Sequence, residues 1–354
     1  MKRIKYSEQE MVYSKEYPSI FPGESGWPCF HSPVSPRQNY QILLSDDKPL
    51  WMPLCTELLF FSPSIIPENI ARANVMESEE FDPSKYGGKD FFGVIWEYRP
   101  ESMGSMVRPG NPVLTDVSEW KEQIHFPDLN SYDWAGCAER NADYLNDGRL
   151  KTMVVYTGFF ERLVSFMDMS EALITMIDED AAPDLNDLFS NLADFYIKYI
   201  NLCKKWFQVD HIVLHDDWGA QRGPLFSPGI CQARIIPHLK KVVAATHKLG
   251  LSFELHSCGK IDSMVPLMID AGVDAWSGQS MNDKDTLYKL YGDKIHLGIS
   301  PPLLPANASA DEYAKAAIEF VRKYPSGTVY VAPQFGMQQK MNVEIYRQSR
   351  ILFN

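Results

Sequence analysis

Residues 211–219 read HIVLHDDWG, and residues 252–259 read SFELHSCG. Each opens with an apolar run of strand length and ends in polar residues and a glycine. Such runs suit strands buried on both faces, as in a parallel sheet. Between them lies an amphipathic stretch, 228–250, which predicts a helix with Gly250 as its C-terminal cap. A second stretch, 261–272, follows and predicts a helix ending at Gly272. Strand and helix in alternation argue for parallel strands joined by helical crossovers. Residues two apart on a strand share a face, so His256 and Cys258 are expected to project together from a strand's C-terminal end.

Working outward, similar apolar runs occur at 50–55, 93–98, 153–157, 275–279, 295–299 and 328–332. Further helical stretches are read at 184–207 and 311–324. Eight strands predict a closed α/β (β/α)8 TIM barrel, with an open doubly wound sheet as the alternative. The expected organisation is an irregular, Pro-, Ser- and Tyr-rich N-terminal extension over 1–49, packed on a barrel over 50–354. Residues 81–127 read as a long irregular loop insertion, of the length that often serves as a lid.

Composition narrows the function classes. The chain has 354 residues, 46 acidic and 34 basic, for a net charge of -12. That surface repels phosphate backbones, so nucleic acid is not an expected partner. Hydrophobic residues make up 45% of the chain, enough for a large core. No apolar run reaches the ~18 residues of a membrane helix, and the N-terminus lacks a signal-peptide core. The six cysteines contain no CxxC pair, which makes the reduced state the default. A soluble, cytoplasmic protein without membrane contact is expected. The patterns GxGxxG, GxxxxGK[ST], HExxH and GxSxG are all absent, and with them the usual support for those chemistries.

The residues that can carry chemistry sit at the predicted strand ends. An imidazole and a thiolate on one face, His256 and Cys258, make half of a tetrahedral zinc site. A buried histidine beside an inert buried cysteine is the competing reading. Asp216 and Asp217 point to opposite sides if the strand continues past His215. One of them then faces the barrel mouth as an acid–base group or ligand, and the other caps the following turn. Glu57 stands in an otherwise apolar run, where a carboxylate must be paired or used. Gln279 and Gln334 end two later strands. Arg108 lies on a loop and can contact an anion. Trp96, Tyr98, Phe159, Phe160, Trp218 and Trp276 fall near strand ends, where aromatics either line an apolar pocket or fill the core.

The segments HDDWGAQRGPLFSP (215–228), ELHSCGKI (254–261), DAGVDAWSGQ (270–279) and GSMVRPGNP (104–112) resemble the uroporphyrinogen decarboxylase superfamily. The resemblance covers about residues 50–340. Within the superfamily the chain looks most like the corrinoid-dependent methyltransferases, the methyl-donor components of bacterial O-demethylases. The resemblance implies a (β/α)8 barrel and an enzyme that cleaves a methyl ether, here of a methoxylated aromatic. Zinc would act as Lewis acid, and the methyl group would pass to the Co(I) corrinoid of a partner protein. The chain has no DxHxxG motif, so the corrinoid belongs to that partner.

The same resemblance implies metal ligands at His256 and Cys258. At the places of the family's carboxylate and second cysteine this chain has Gln279 and Gln334, and glutamine is a weak zinc ligand. Asp217, ahead of Asp216 and Glu57, is then the expected oxygen ligand. Asp216, Asp217 and Glu57 are the expected catalytic carboxylates, orienting substrate or protonating the leaving oxygen. Trp218, Gln279, Gln334 and Tyr98 are the expected substrate contacts. The decarboxylase proper is disfavoured, because residues 23–33 (GESGWPCFHSP) lack the arginines that grip porphyrinogen carboxylates. Two alternatives remain: a metal-independent decarboxylase-like lyase using Asp217, and an inactive barrel that binds a ligand or a corrinoid protein.

Overall fold

The structure is a computed structural model that describes residues 4–353, apart from 14, 19–25, 46, 103 and 326. Of the arginine-free stretch 23–33, residues 23–25 lie outside the described residues. The strands are β1 (Glu16–Tyr17), β2 (Trp27–Pro28), β3 (Leu58–Phe61), β4 (Gly88–Lys89), β5 (Ile95–Arg99) and β6 (Gly104–Val107). They continue with β7 (Leu150–Val155), β8 (His211–His215), β9 (Ser252–Ser257), β10 (Ala275–Gly278), β11 (His296–Ile299) and β12 (Val329–Val331). A seven-stranded sheet takes β3 and β7 to β12, so the fold is α/β of the TIM-barrel class. The sequence predicts eight barrel strands, and seven are present among the described residues. The chain forms two compact units, residues 60–147 with 151–273, and residues 1–59 with 148–150 and 274–354.

In the larger unit β7, β8 and β9 run parallel, with Val155 opposite Leu214 and Leu214 opposite Leu255. Every residue of β7 is buried, as expected for a strand covered on both faces. Helix Ala182–Phe207 leads into β8. Its buried stripe includes Leu185, Leu188, Phe189 and Leu192, at helical spacing, and it ends at Gln208 in the left-handed region. The single helix predicted over 228–250 is two, Pro228–Arg234 and Ile236–Lys248. Pro237 is the reason: it lacks an N–H and its ring crowds the carbonyl four residues back. The later helix is Val265–Ala271, and Gly272 ends it at φ 82°.

The run at 93–98 is not a barrel strand. Its core, β5, pairs antiparallel with β4 and β6 in a separate three-stranded sheet. The physical reason is Glu97. Trp96 is buried, but Glu97 faces outward and meets Arg99 and Arg108, each at 2.6 Å. A strand between two parallel neighbours would bury that carboxylate. The segment 81–127 is accordingly not structureless. Asp90 accepts the amides of Phe92 and Val94 and, at 3.1 Å, the Trp96 indole N–H.

In the smaller unit β10, β11 and β12 are parallel, with Ala275 opposite His296 and Leu297 opposite Val329. Residues 50–55, read as the first strand, make only an isolated parallel bridge, Leu54 to Val331. Pro53 cannot donate to a ladder, though its carbonyl accepts the Val331 N–H at 2.8 Å. The strand of this region is β3. The N-terminal segment is fastened to helix Gln339–Leu352: Arg350 grips Glu10 with two 2.7 Å bonds, and Phe30 stacks on Tyr346 at 4.1 Å. No helix among the described residues is long and apolar enough to cross a membrane.

Candidate metal centre

Parallel register builds the site. His215, the last residue of β8, lies opposite His256 on β9, and their rings stack at 4.8 Å and 24°. Two residues further on each chain come Asp217 and Cys258, on the same face by strand alternation. The Cys258 N–H donates to Asp217 Oδ1 at 2.6 Å, which locks the two chain ends together. Cys258 Sγ is 3.8 Å from His256 Nε2, and His215 Nε2 is 3.7 Å from Asp217 Oδ1. One donor atom from each of these four residues lies within 4.8 Å of every other.

Two glycines let the chains come this close. Gly219 and Gly259 face each other behind the cluster. A Cβ on Gly259, which has φ +84°, would fall 2.3 Å from the Gly219 carbonyl carbon. Gly158 sits under Asp216, where a Cβ would fall 2.4 Å from the Asp216 Cβ.

The HDDW motif divides its labour. Asp216 points away from the quartet's face and caps helix Phe159–Met167. Its carboxylate accepts the Phe160 and Glu161 amides at 3.2 and 2.9 Å, and the Trp218 indole N–H at 2.8 Å. Asp216 and Trp218 are both fully buried. Burial pushes the Asp216 carboxyl up to about 7.

Behind His215 stands a residue not singled out by sequence. Glu161 Oε2 is 2.6 Å from His215 Nδ1, and Glu161 Oε1 meets both terminal nitrogens of Arg72 at 3.3 Å. Burial acts to raise the Glu161 carboxyl, but the His215 imidazole and the Arg72 guanidinium hold it down at about 2. Burial acts to lower the His215 ring, and Glu161 raises it well above its ordinary value. Burial, and then His215, push His256 down to about 4. Burial also pushes the Cys258 thiol up.

The expected site residues are thus distributed as follows. Asp217, His256 and Cys258 come together, joined by His215. Its signal was present in the sequence: His215-x-Asp217 and His256-x-Cys258 have the same spacing at the same point of adjacent strands. Tyr98 lies on β5 opposite Ser105, with its ring 5.4 Å from Tyr86. Arg108 is paired with Glu97. Glu57, Gln279 and Gln334 belong to the smaller unit. There Gln334 Nε2 donates to the Pro301 carbonyl at 2.8 Å, and the Gln279 carbonyl accepts from Asn282.

Glu57 is buried and accepts the Trp51 indole N–H at 2.9 Å and the Leu54 amide at 3.0 Å. Burial pushes its carboxyl from an ordinary 4.5 to about 7. The folded chain therefore holds this proton more tightly than the unfolded chain. Glu57 then favours folding fully below pH about 4.5, and that advantage is lost as pH rises through about 7. The swing is on the order of 3 kcal/mol. Urea midpoints measured across this window should fall with pH in the wild type and fall less in Glu57→Gln. Equal slopes would refute the assignment.

The donor set is of the kind that holds a tetrahedral cation. Ligands at the usual zinc distances stand about 3.5 Å apart from one another; two of the pairs here are at 3.7 and 3.8 Å, and all lie within 4.8 Å. Two imidazoles, one thiolate and one carboxylate are a borderline-soft set that suits zinc. The Asp217 side chain is 30% exposed and that of His215 is 19% exposed, so the cluster is open to solvent on one side.

No protein-family model and no curated protein sequence matches this chain. Among solved structures, a methyltransferase from Methanosarcina mazei matches over 90% of this chain and 98% of its own, at 13% identity and TM-score 0.60. A sugar phosphate isomerase/epimerase from Parabacteroides distasonis matches over 65% and 78%, at 12% identity and TM-score 0.33. The first likeness is one of fold, and it runs nearly the full length of both chains.

Proposed function

We propose that the chain is a zinc-dependent methyltransferase that cleaves a methyl ether, with a methoxylated aromatic as methyl donor. The acceptor in this reading is the Co(I) corrinoid of a partner protein. The observation that carries the proposal is the four-donor cluster at the C-terminal ends of β8 and β9, where barrel enzymes keep their sites. The fold shared with a methyltransferase supports the class of reaction.

His215, Asp217, His256 and Cys258 would hold the metal. When bound, zinc supplies Lewis-acid polarisation of the ether oxygen, which otherwise leaves poorly as an anion. The protein's own groups prepare the donors. Glu161 occupies His215 Nδ1 and so leaves Nε2 for the cluster. The Cys258 amide fixes the Asp217 carboxylate. Asp216 and Glu57 serve in this reading as buried structural acceptors rather than proton donors. Their oxygens already take the N–H groups of Phe160, Glu161 and Trp218, and of Trp51 and Leu54.

The test is metal content by plasma mass spectrometry, followed by a screen of methoxylated aromatics with a Co(I) corrinoid acceptor. About one zinc per chain, with demethylation, is the expected result. A protein that takes up no zinc when it is supplied would sink the proposal and leave the metal-independent lyase or the inactive binder.

A further inference from the structure

We infer that Glu161 is a positioning residue for the metal centre, held in place by Arg72, whose guanidinium lies over Trp96 of the three-stranded insert β4–β6. The inference rests on the metal reading above and goes beyond it by assigning a role to residues outside the ligand set.

The geometry forms a continuous chain within the larger unit. Glu161 is fixed at two points: its amide donates to Asp216, and its carboxylate spans His215 and Arg72. Arg72 is the C-terminal cap of the short helix Pro67–Ala71, and its guanidinium lies 4.6 Å over the Trp96 ring. Trp96 comes from β5 and is itself fixed by its indole bond to Asp90. An imidazole whose Nδ1 is bound to a carboxylate cannot turn without breaking a charged hydrogen bond, so Nε2 stays aimed at the other donors. Charge balances as well. One thiolate and one carboxylate neutralise a divalent ion, and Arg72 neutralises Glu161. Without Arg72 the partly buried centre would carry an extra negative charge.

The experiment is zinc affinity by chelator competition, with melting of the metal-free protein alongside. Wild type is compared with Glu161→Gln, Arg72→Met and the control Arg99→Ala. Arg99 is an exposed partner of Glu97. Glutamine can still accept from His215 Nδ1 but lacks the charge. Glu161→Gln should weaken zinc binding about 10–100-fold, the range for outer carboxylates of histidine ligands. Arg72→Met should weaken it several-fold, and Arg99→Ala should leave it unchanged. A merely structural ion pair would lower melting and leave zinc affinity alone. Affinity within twofold of wild type in Glu161→Gln therefore overturns the inference, whatever its melting temperature. If Glu161→Gln does not fold, Arg72→Met decides by the same criterion. Absence of zinc binding in the wild type is a separate outcome. It overturns the metal reading itself, and this inference with it.

Discussion

In the zinc-dependent reading proposed above, Cys258→Ala is expected to lose stoichiometric zinc and, with it, methyl transfer by roughly three orders of magnitude. That is the scale of removing several kcal/mol of charge stabilisation at the leaving oxygen. The thiolate is the softest donor and the one with no substitute among the other three, which are two imidazoles and a carboxylate. Asp217→Asn should do less damage, because its amide oxygen can still accept the Cys258 N–H that aligns the two strand ends. A second readout follows from linkage. Zinc should raise the melting temperature of the wild type and not of Cys258→Ala. The sign of the pH dependence is also fixed. Burial pushes the Cys258 thiol up, so protons compete harder for the sulfur, and zinc affinity should fall as pH is lowered. Retention of about one zinc per chain by Cys258→Ala, with turnover within tenfold, would remove Cys258 from the site.

Arg162→Met should cost about 3–5 kcal/mol of stability, the scale for leaving a buried charge without its partner. Arg162 is fully buried on helix Phe159–Met167, next in sequence to Glu161. Its guanidinium meets Glu68, and Asp90 at 2.6 Å, beside the ring of Phe92 at 4.8 Å. Methionine restores much of the volume but strands two buried carboxylates. Burial already pushes the Glu68 carboxyl up, even with Arg162 beside it. Adding Glu68→Gln should therefore recover part of the loss. Urea denaturation of the single and double variants measures both effects. A loss below about 1 kcal/mol in the single variant would mean that this network is not what joins the Asp90 loop, helix Pro67–Ala71 and helix Phe159–Met167.

Sequence periodicity alone located six of the seven barrel strands, together with the helices ending at Phe207 and Gly272. Apolar runs closed by glycine or polar residues record burial on both faces, a property each segment carries by itself. The HxC pair was legible for the same reason, since a two-residue spacing on a strand fixes a shared face without reference to any partner. Periodicity misplaced the first strand and misread 93–98, because a run's composition does not state how its strand is paired. Pro53 and Glu97 were the local signs of a different pairing. The rest depended on the tertiary fold. Register between β8 and β9 set His215 against His256 and so turned half a site into a quartet. Which aspartate of the Asp216–Asp217 pair faced the site depended on where helix Phe159–Met167 ended, because its free amides claimed Asp216. Glu161, Arg72 and Trp96 are scattered along the chain and share no spacing. Only three-dimensional packing brings them into line behind His215, where distances of a few ångströms decide which charges act on one another.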